Sequence, residues 1–472
     1  MKNIRFVAWF MAFVLLFAAL VGTLVFTVDP LQLYRKASYT PLFTKQQRYQ
    51  NPGLAKNYTY DTLILGSSMT ENFVPSEVGS ILEGDVIKLS MEGSTAKEQR
   101  MIADVAIGTG QVQKVLWGID YFSFRTNTVR DEANFPFYLY DNNIWNDYKY
   151  LFNISDVKHA FAAWLLPKNS LTELRNLDML NNWDVKATYG PDKVFAKWVE
   201  ARSAEQLDAA SEPPLDTVKQ NFEENTISLI EAHPDIQFML YYPPYSILRQ
   251  QMWYDLNPQR FANQLEMKTY MFERLSAYSN VQIHDFQSDS SITYNLDEFK
   301  DLSHHSAAIN RQIVEEIAAG THVVTAENVD VNNHLLEEQI QSLVINEEGA
   351  VFSVAVNVNG KQIAFEELPP STGDQVQVPL KDFALAAGID FNYNVEEKTV
   401  DLAHGDQKVS IAVDASIATV NGQETELEAP AKIYNDRLTG PLIQIIHLLE
   451  GNVEVDHSEQ DAYLVTYNIT LD

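Results

Sequence analysis

The chain has 472 residues, enough for about three domains, and its 46% hydrophobic and 21% charged residues are ordinary for a globular protein. Its 34 basic and 64 acidic side chains give a formal net charge of −30, and so acidic a surface repels nucleic acid phosphates. The absence of cysteine excludes disulfides, thiolate metal ligands and a cysteine nucleophile. We therefore expect a multidomain globular protein that does not bind nucleic acid.

A long apolar segment lies at the N-terminus. Phe6–Val28 carries no charge and, at about 1.5 Å per helical residue, is long enough to cross a hydrocarbon core of about 30 Å. Lys2 and Arg5 precede it, and this cationic flank predicts a cytoplasmic N-terminus with the rest of the chain outside. A cleaved signal peptide is the alternative, although its apolar region is usually shorter. We expect residues 1–30 to form a cytoplasmic tip and an uncleaved membrane anchor.

Beyond a predicted polar stalk at 31–57, short apolar runs alternate with amphipathic stretches. The runs are candidate buried strands at Thr62–Leu65, Val86–Leu89, Val115–Trp117, Gln237–Tyr242 and Val281–Ile283. Candidate helices cover Lys97–Ile107, Val218–Ala232 and Asn257–Tyr278. This alternation predicts an α/β domain at 58–320 with a parallel, doubly wound sheet. The aromatic-rich residues 125–215 interrupt the pattern, and we interpret them as a helical insertion that caps the carboxyl edge of the sheet.

The character of the chain changes near residue 345, where β-branched alternation and Asn-Gly turns replace the helical signals. The sequence VNG at 358–360 recurs at 420–422, and a short helical stretch ending in glycine follows each copy. We therefore expect residues 345–472 to form an α+β repeat module. Residues 321–344 would link it to the α/β domain, partly through a helix.

Polar residues follow the candidate strands at the edge where parallel α/β sheets bind ligands. Among them are Ser68 after the first strand and, after the last strand, the run DLSHH that begins at Asp301. A serine nucleophile needs an adjacent general base, which histidine supplies, and a carboxylate on the other ring nitrogen fixes the tautomer. We predict Ser68 as nucleophile, His304 as base and Asp301 as its orienting partner. His305 is the alternative base, and Ser67 is interpreted as a turn residue.

At these residues the chain resembles the SGNH (GDSL-like) hydrolase superfamily. The sequence LGSS ending at Ser68 is similar to the first block of that superfamily, and the DxxH run from Asp301 to His304 is similar to its last. Gly93 is similar in placement to the glycine of the second block. The resemblance implies an SGNH or flavodoxin-like fold, with Gly93 and Asp120 at the oxyanion and substrate position. The third block, however, has GID where GxND is expected, so Asp120 replaces the donating amide.

The C-terminal module resembles the copper amine oxidase N-terminal-like domain of exported proteins. The matching sequences are VNGK, VPL and AAG in the first copy and VNGQ, GPL and LLEG in the second. This resemblance implies a non-catalytic appendage. Apart from the pair at 304–305, the histidines are scattered without ligand spacing, so we predict no metal and no cofactor.

The N-terminal anchor and the aromatic insertion resemble membrane-tethered relatives that serve envelope polysaccharide O-acetylation. We therefore expect an extracytoplasmic serine esterase or O-acyltransferase held in the cell membrane by one span. The resemblance implies an acylated envelope glycan as its substrate and a membrane-bound acyltransferase as a further partner. The alternative is a non-catalytic protein that binds or assembles envelope polysaccharide, and the altered third block favours it.

Overall fold

The computed structural model describes residues 2–345, 351–365, 368–369, 371, 376–457 and 462–471. Helix α1 (Lys2–Val28) is the one helix among these residues that is long and apolar enough to cross a membrane, by length and composition. Signal sequences pass the same test. From Ile4 to Leu20 almost all of its side chains are exposed, and Trp9 is 78% exposed. An exposed apolar helix of this kind fits a membrane span or a signal sequence.

The α/β domain contains five parallel strands in the order β2-β1-β3-β4-β5. They are β1 (Thr62–Leu65), β2 (Val86–Lys88), β3 (Lys114–Gly118), β4 (Gln237–Tyr242) and β5 (Val281–Asp285). The predicted parallel sheet is confirmed, and each strand begins within one residue of its expected start. Successive residues of β1 pack into different cores, Leu63 and Leu65 into one and Ile64 into the other. The sheet is therefore covered on both faces, as the apolar runs predict.

Helices cover the two faces of this sheet and form the insertion. They are α2 (Gln47–Asn57), α3 (Pro75–Leu82), α4 (Ala96–Ile107), α5 (Phe137–Tyr140), α6 (Tyr148–Leu151), α7 (Ile154–Leu165), α8 (Pro191–Ala209), α9 (Leu215–Phe222), α10 (Ser228–Ala232), α11 (Ile247–Leu256), α12 (Pro258–Leu275), α13 (Ser290–Thr293), α14 (Ala307–Ala319) and α15 (Val329–Gln341). A π-turn at Glu223–Ile227 joins α9 to α10 within the predicted helix. Residues 321–344 contain α15, which packs against α11 and α12.

Residues 47–57, expected in an extended stalk, form α2 and are packed into the domain. Gln50 Nε2 donates to the carbonyl of Leu31, and Asn51 Nδ2 donates to the carbonyls of Leu89 and Ser90. Because these amides satisfy buried backbone groups, a polar sequence is compatible with a buried helix.

The C-terminal region is rich in β-structure and has its own apolar core. Its strands are β6 (Leu343–Ile345), β7 (Val351–Val358), β8 (Lys361–Ile363), β9 (Gln377–Pro379), β10 (Asp390–Asn394), β11 (Thr399–His404), β12 (Gln407–Ala412), β13 (Ile417–Val420), β14 (Gln423–Glu426), β15 (Lys432–Tyr434), β16 (Arg437–Pro441), β17 (Asn452–His457) and β18 (Leu464–Thr470). The helices α16 (Leu380–Ala387) and α17 (Leu442–Leu448) follow β9 and β16.

The sequence repeat appears in the C-terminal fold as two equivalent halves. Both VNG sequences are tight turns, with φ of 49° at Asn359 and 50° at Asn421. Strands β9 and β16, which carry VPL and GPL, pair antiparallel, with Val378 opposite Gly440. The two copies therefore share one sheet and one core.

Candidate functional site

Ser68 begins a short 3-10 turn at the carboxyl end of β1. Gly66 enters this turn with φ of 148°, and a Cβ there would lie 2.6 Å from Cγ2 of Thr70. Glycine is therefore required where the chain bends sharply out of the strand. The bend leaves the Ser68 hydroxyl half-buried at the edge of the sheet where ligands bind.

The structure brings Ser68, His304 and Asp301 into one hydrogen-bonded chain. Oγ of Ser68 lies 2.8 Å from Nε2 of His304, and Nδ1 of His304 lies 2.9 Å from Oδ2 of Asp301. The loop that carries the pair is held by Ser246, whose N–H and hydroxyl both donate to the carbonyl of Leu302. With Nδ1–H directed at the carboxylate, Nε2 is free to accept the serine proton.

The carboxyl group of Asp301 is held in its ionised form. Burial alone would raise its pKa, but the hydrogen bond and charge of His304, together with the backbone N–H groups of Ser303 and His304, hold the pKa well below its usual range. The turn between Asp301 and His304 supplies these N–H donors. The three-residue spacing therefore places the carboxylate beside the imidazole and also surrounds it with donors that favour its ionised form.

His305, the alternative base, lies away from the serine. Its ring is buried against Phe299, and Nδ1 is 3.4 Å from the carbonyl of Ser306. Burial lowers its pKa to about 4. His304 is therefore the imidazole that the structure places beside Ser68.

Asp120 lies beside the serine turn but acts as an acceptor of hydrogen bonds. Ser67 Oγ donates to its Oδ2 at 2.9 Å, and the hydroxyl of Tyr245 donates to its Oδ1 at 2.5 Å. The N–H of Phe122 also donates to Oδ1, at 3.1 Å. Both carboxyl oxygens are occupied as acceptors, so this side chain does not replace the amide donor of the third block. Ser67 is thereby a partner of Asp120 as well as a turn residue.

Gly93 lies across the cleft from this carboxylate, with a positive φ of 56°. A Cβ on Gly93 would lie only 2.0 Å from Nη1 of Arg130, so the guanidinium packs directly on the glycine. Arg130 is exposed, and no carboxylate among the described residues forms an ion pair with it. A guanidinium with no ion-pair partner among the described residues therefore lies directly on Gly93.

A solvent-open cleft of about 600 Å³ joins these groups. Its lining includes Ser68, Gly93, Asp120, Arg125, Arg130 and His304. Arg125 is paired with Asp208 and Glu212, so it differs from Arg130 in being neutralised by its neighbours.

The insertion, which the sequence predicts to cap the carboxyl edge of the sheet, also contacts the catalytic histidine candidate. The ring of Trp183 packs edge-to-face on His304, with centroids 5.6 Å apart and an interplanar angle of 88°. The backbone N–H of Trp183 donates to Oδ1 of Asn72, and Nδ2 of Asn72 donates to the carbonyl of His305. The insertion is thus tied to the serine loop and to the histidine loop. Neither Trp183 nor Arg130 has a local motif that could have identified it.

A second group of polar side chains lies outside the cleft. Nε2 of His322 is 3.1 Å from Asp289, and Nδ1 is 2.5 Å from Glu316, so the three side chains could together hold a metal ion. The hydrogen bond that His322 donates to Asp289 and the charge of Glu316 raise the pKa of His322 despite partial burial. Because each ring nitrogen faces a different carboxylate, the arrangement also fits an imidazolium held between two anions.

Comparison with known proteins bears on the C-terminal module. Residues 357–464 match the copper amine oxidase N-terminal domain. That match agrees with the resemblance of the repeat module and does not extend to the α/β domain. No curated protein matches the chain.

One similar solved structure is a Streptococcus pneumonia protein assigned as a platelet activating factor. It is 13% identical and covers 58% of this chain and 92% of that chain, with a TM-score of 0.32. A likeness this low carries no argument about function.

Proposed function

We propose that the protein is a membrane-anchored, extracytoplasmic serine esterase or O-acyltransferase of the SGNH (GDSL-like) type. The observation that carries this proposal is the unbroken hydrogen-bonded chain from Ser68 through His304 to Asp301. The hydroxyl of Ser68 lies close enough to His304 for direct transfer of its proton, and His304 is hydrogen-bonded to the carboxylate of Asp301 that orients it.

In the proposed reaction, Ser68 Oγ attacks the carbonyl carbon of an acyl ester while Nε2 of His304 takes the hydroxyl proton. The tetrahedral intermediate collapses to an acyl-serine, and His304 returns the proton to the departing alcohol. In the second half, His304 takes the proton of the acceptor hydroxyl as its oxygen attacks the acyl carbonyl. The second tetrahedral intermediate breaks the bond to Ser68 Oγ, and His304 returns the proton to that oxygen. Water as acceptor gives an esterase, whereas a sugar hydroxyl gives an O-acyltransferase.

The negative charge on the intermediate needs donors other than Asp120. The backbone N–H groups of Ser68 and Gly93 are two candidates, as in oxyanion sites built from main-chain donors. Arg130 is the third, since its guanidinium rests on Gly93 with no carboxylate partner among the described residues. A charge-assisted donor of this kind compensates for the missing amide.

The proposed substrate is an acyl ester on a cell-envelope polysaccharide, and a membrane-bound acyltransferase is a further proposed partner. A solvent-open cleft of about 600 Å³ suits part of a polymer chain better than a small enclosed ligand. The proposed location is the outer face of the cell membrane, because Lys2 and Arg5 precede the uncharged segment Phe6–Val28 and cationic flanks stay in the cytoplasm.

A non-catalytic protein that binds or assembles envelope polysaccharide is the second candidate. The observation that favours it is Asp120, whose three donors leave a carboxylate where an oxyanion site would have an amide. In this case the C-terminal module would contribute to polymer binding.

Labelling with a fluorophosphonate probe distinguishes the two candidates. The full chain in detergent should be labelled and should hydrolyse p-nitrophenyl acetate, whereas the Ser68→Ala variant should do neither. Ser67→Ala is the matched control, because it removes a neighbouring hydroxyl that does not contact His304. Absence of both labelling and ester hydrolysis in the folded wild type would reject the enzymatic proposal.

A further inference from the structure

Part of the insertion packs against the end of α1 that adjoins the α/β domain. This segment, residues 137–165, contains α5, α6 and α7. Tyr150 is fully buried, and its hydroxyl donates to Asp29 Oδ1 and accepts from the N–H of Leu31. Val25 and Ala160 share the same small core. The segment is therefore fixed to α1 and does not move independently of it.

The same segment carries large apolar side chains that the described structure leaves uncovered. They are Ile144, Trp145, Ile154, Phe161, Trp164 and Leu165, and Trp145 is 85% exposed. On α7, Ile154, Phe161 and Leu165 follow helical spacing and form one stripe, while Asp156 and Ala160 are buried on the other side. Soluble proteins rarely expose such a concentration of aromatic and aliphatic surface unless something binds there.

The contact with α1 fixes the depth of this surface. The ring of Phe152 lies 3.4 Å from the Cβ position of Gly22. Gly22 precedes Val28, the last residue of α1, by about 9 Å of helix axis at about 1.5 Å per residue. Interfacial helices bury their apolar faces about 5–10 Å into the boundary between headgroups and acyl chains. If α1 spans a bilayer and Val28 marks the membrane surface, Phe152 lies about 9 Å below that surface, within the range of an interfacial helix.

We propose that residues 137–165 form a second membrane contact, which lies in the outer interface of the bilayer that α1 crosses. Continuity with α1 favours lipid as the occupant, and tryptophan is the residue type enriched at this level. Lys158 is exposed within the apolar stripe of α7, where its ammonium reaches the phosphates while its stem stays among the acyl chains. The inference depends on α1 as a membrane span and is independent of the proposed hydrolase chemistry.

The cysteine-free chain allows a direct test by site-specific spin labelling. The full chain carrying Trp145→Cys or Phe161→Cys is reconstituted in vesicles of phosphatidylcholine and phosphatidylglycerol. Power saturation then compares the access of oxygen, which enters lipid, with that of a water-soluble nickel chelate. Leu207→Cys is the matched control, because this exposed apolar residue of α8 lies outside the segment. Phe13→Cys on α1 is the positive control for insertion.

The labels at 145 and 161 are expected to favour oxygen over the chelate by several-fold, as the label at 13 should, while the label at 207 favours the chelate. Chelate access at 145 and 161 equal to that at 207, with the label at 13 in lipid, would overturn the proposal and leave the anchor intact. That result would mean that the surface faces water and not lipid when α1 is inserted.

Discussion

Removing any one member of the Ser68, His304 and Asp301 chain should abolish most of the turnover of an acyl ester. The two links measure 2.8 Å and 2.9 Å, so Ser68 can pass its proton directly to His304 while Asp301 orients the ring, and loss of either end leaves the other without a role. Residues that act as a unit cost about 10³–10⁶ in kcat when removed. A 10⁴-fold loss corresponds to about 5.5 kcal/mol of transition-state stabilisation.

The decisive feature is non-additivity. Ser68→Ala and His304→Ala should each lower kcat for p-nitrophenyl acetate severely, and the double variant should be little worse than either one. Asp301→Asn should cost on the order of 10⁴, because the amide favours the wrong imidazole tautomer. Each rate is measured on the full chain in detergent, with thermal unfolding monitored to verify that the variants fold.

Two neighbouring substitutions serve as controls for this prediction. Ser67→Ala leaves Asp120 with two of its donors, and His305→Gln changes a ring that does not contact Ser68, so each should cost much less. Equal losses from Ser67→Ala and Ser68→Ala, or multiplied losses in the double variant, would refute the assignment of the triad.

Four further predictions concern other parts of the molecule. Burial lowers the pKa of His305 to about 4, whereas the pKa in an unfolded chain is about 6.5. Between these pH values the unfolded chain binds a proton that the folded protein does not, so the free energy of unfolding should fall as the pH falls from about 6.5 to about 4. The loss is on the order of 3 kcal/mol, and urea unfolding of His305→Gln should lack that part of the pH dependence. Arg130→Ala should lower kcat for a small neutral ester more than it raises KM, and adding Asp120→Asn should restore part of the rate. An unchanged kcat would exclude Arg130 from the oxyanion site. Residues 342–472 alone should unfold in one cooperative transition and show no stoichiometric copper binding by calorimetry. Protease added to intact protoplasts should degrade this C-terminal module, and its protection would contradict the proposed orientation.

Local patterns in the sequence predicted those parts of the fold that depend on local physics. Each strand of the parallel sheet is a short apolar run that is buried on both faces, so its composition alone distinguishes it from its flanks. The pairing of Asp301 with His304 needs only one turn. Their meeting with Ser68 follows from the rule that parallel strands present their carboxyl ends at one edge.

Features that depend on distant contacts were not predictable in this way. Helix α2 looks like a polar stalk because it contains Pro52, Gly53 and several amides. A Cβ on Gly53 would lie 2.0 Å from the carbonyl oxygen of Leu31, so the glycine is needed for close packing of backbones rather than for flexibility. Trp183, which packs on His304, and Arg130, which lines the cleft, likewise come from an insertion without periodicity.

Helix α2 also connects the membrane-facing segment to the cleft. The side chain of Lys56 donates to the carbonyls of Leu139 and Asp141, and Tyr140 donates its hydroxyl to the carbonyl of Arg48. The guanidinium of Arg48 in turn binds the carbonyl of Glu92, the residue before Gly93, and the carboxylate of Glu98. A flexible polar stalk would let the α/β domain swing freely relative to α1. These contacts instead join α1, residues 137–165 and the cleft in one packed unit, so a bilayer that holds the first two also sets the height and direction of the third. A site held in this way is suited to ester groups presented at the membrane surface and is poorly placed for polymer far from it.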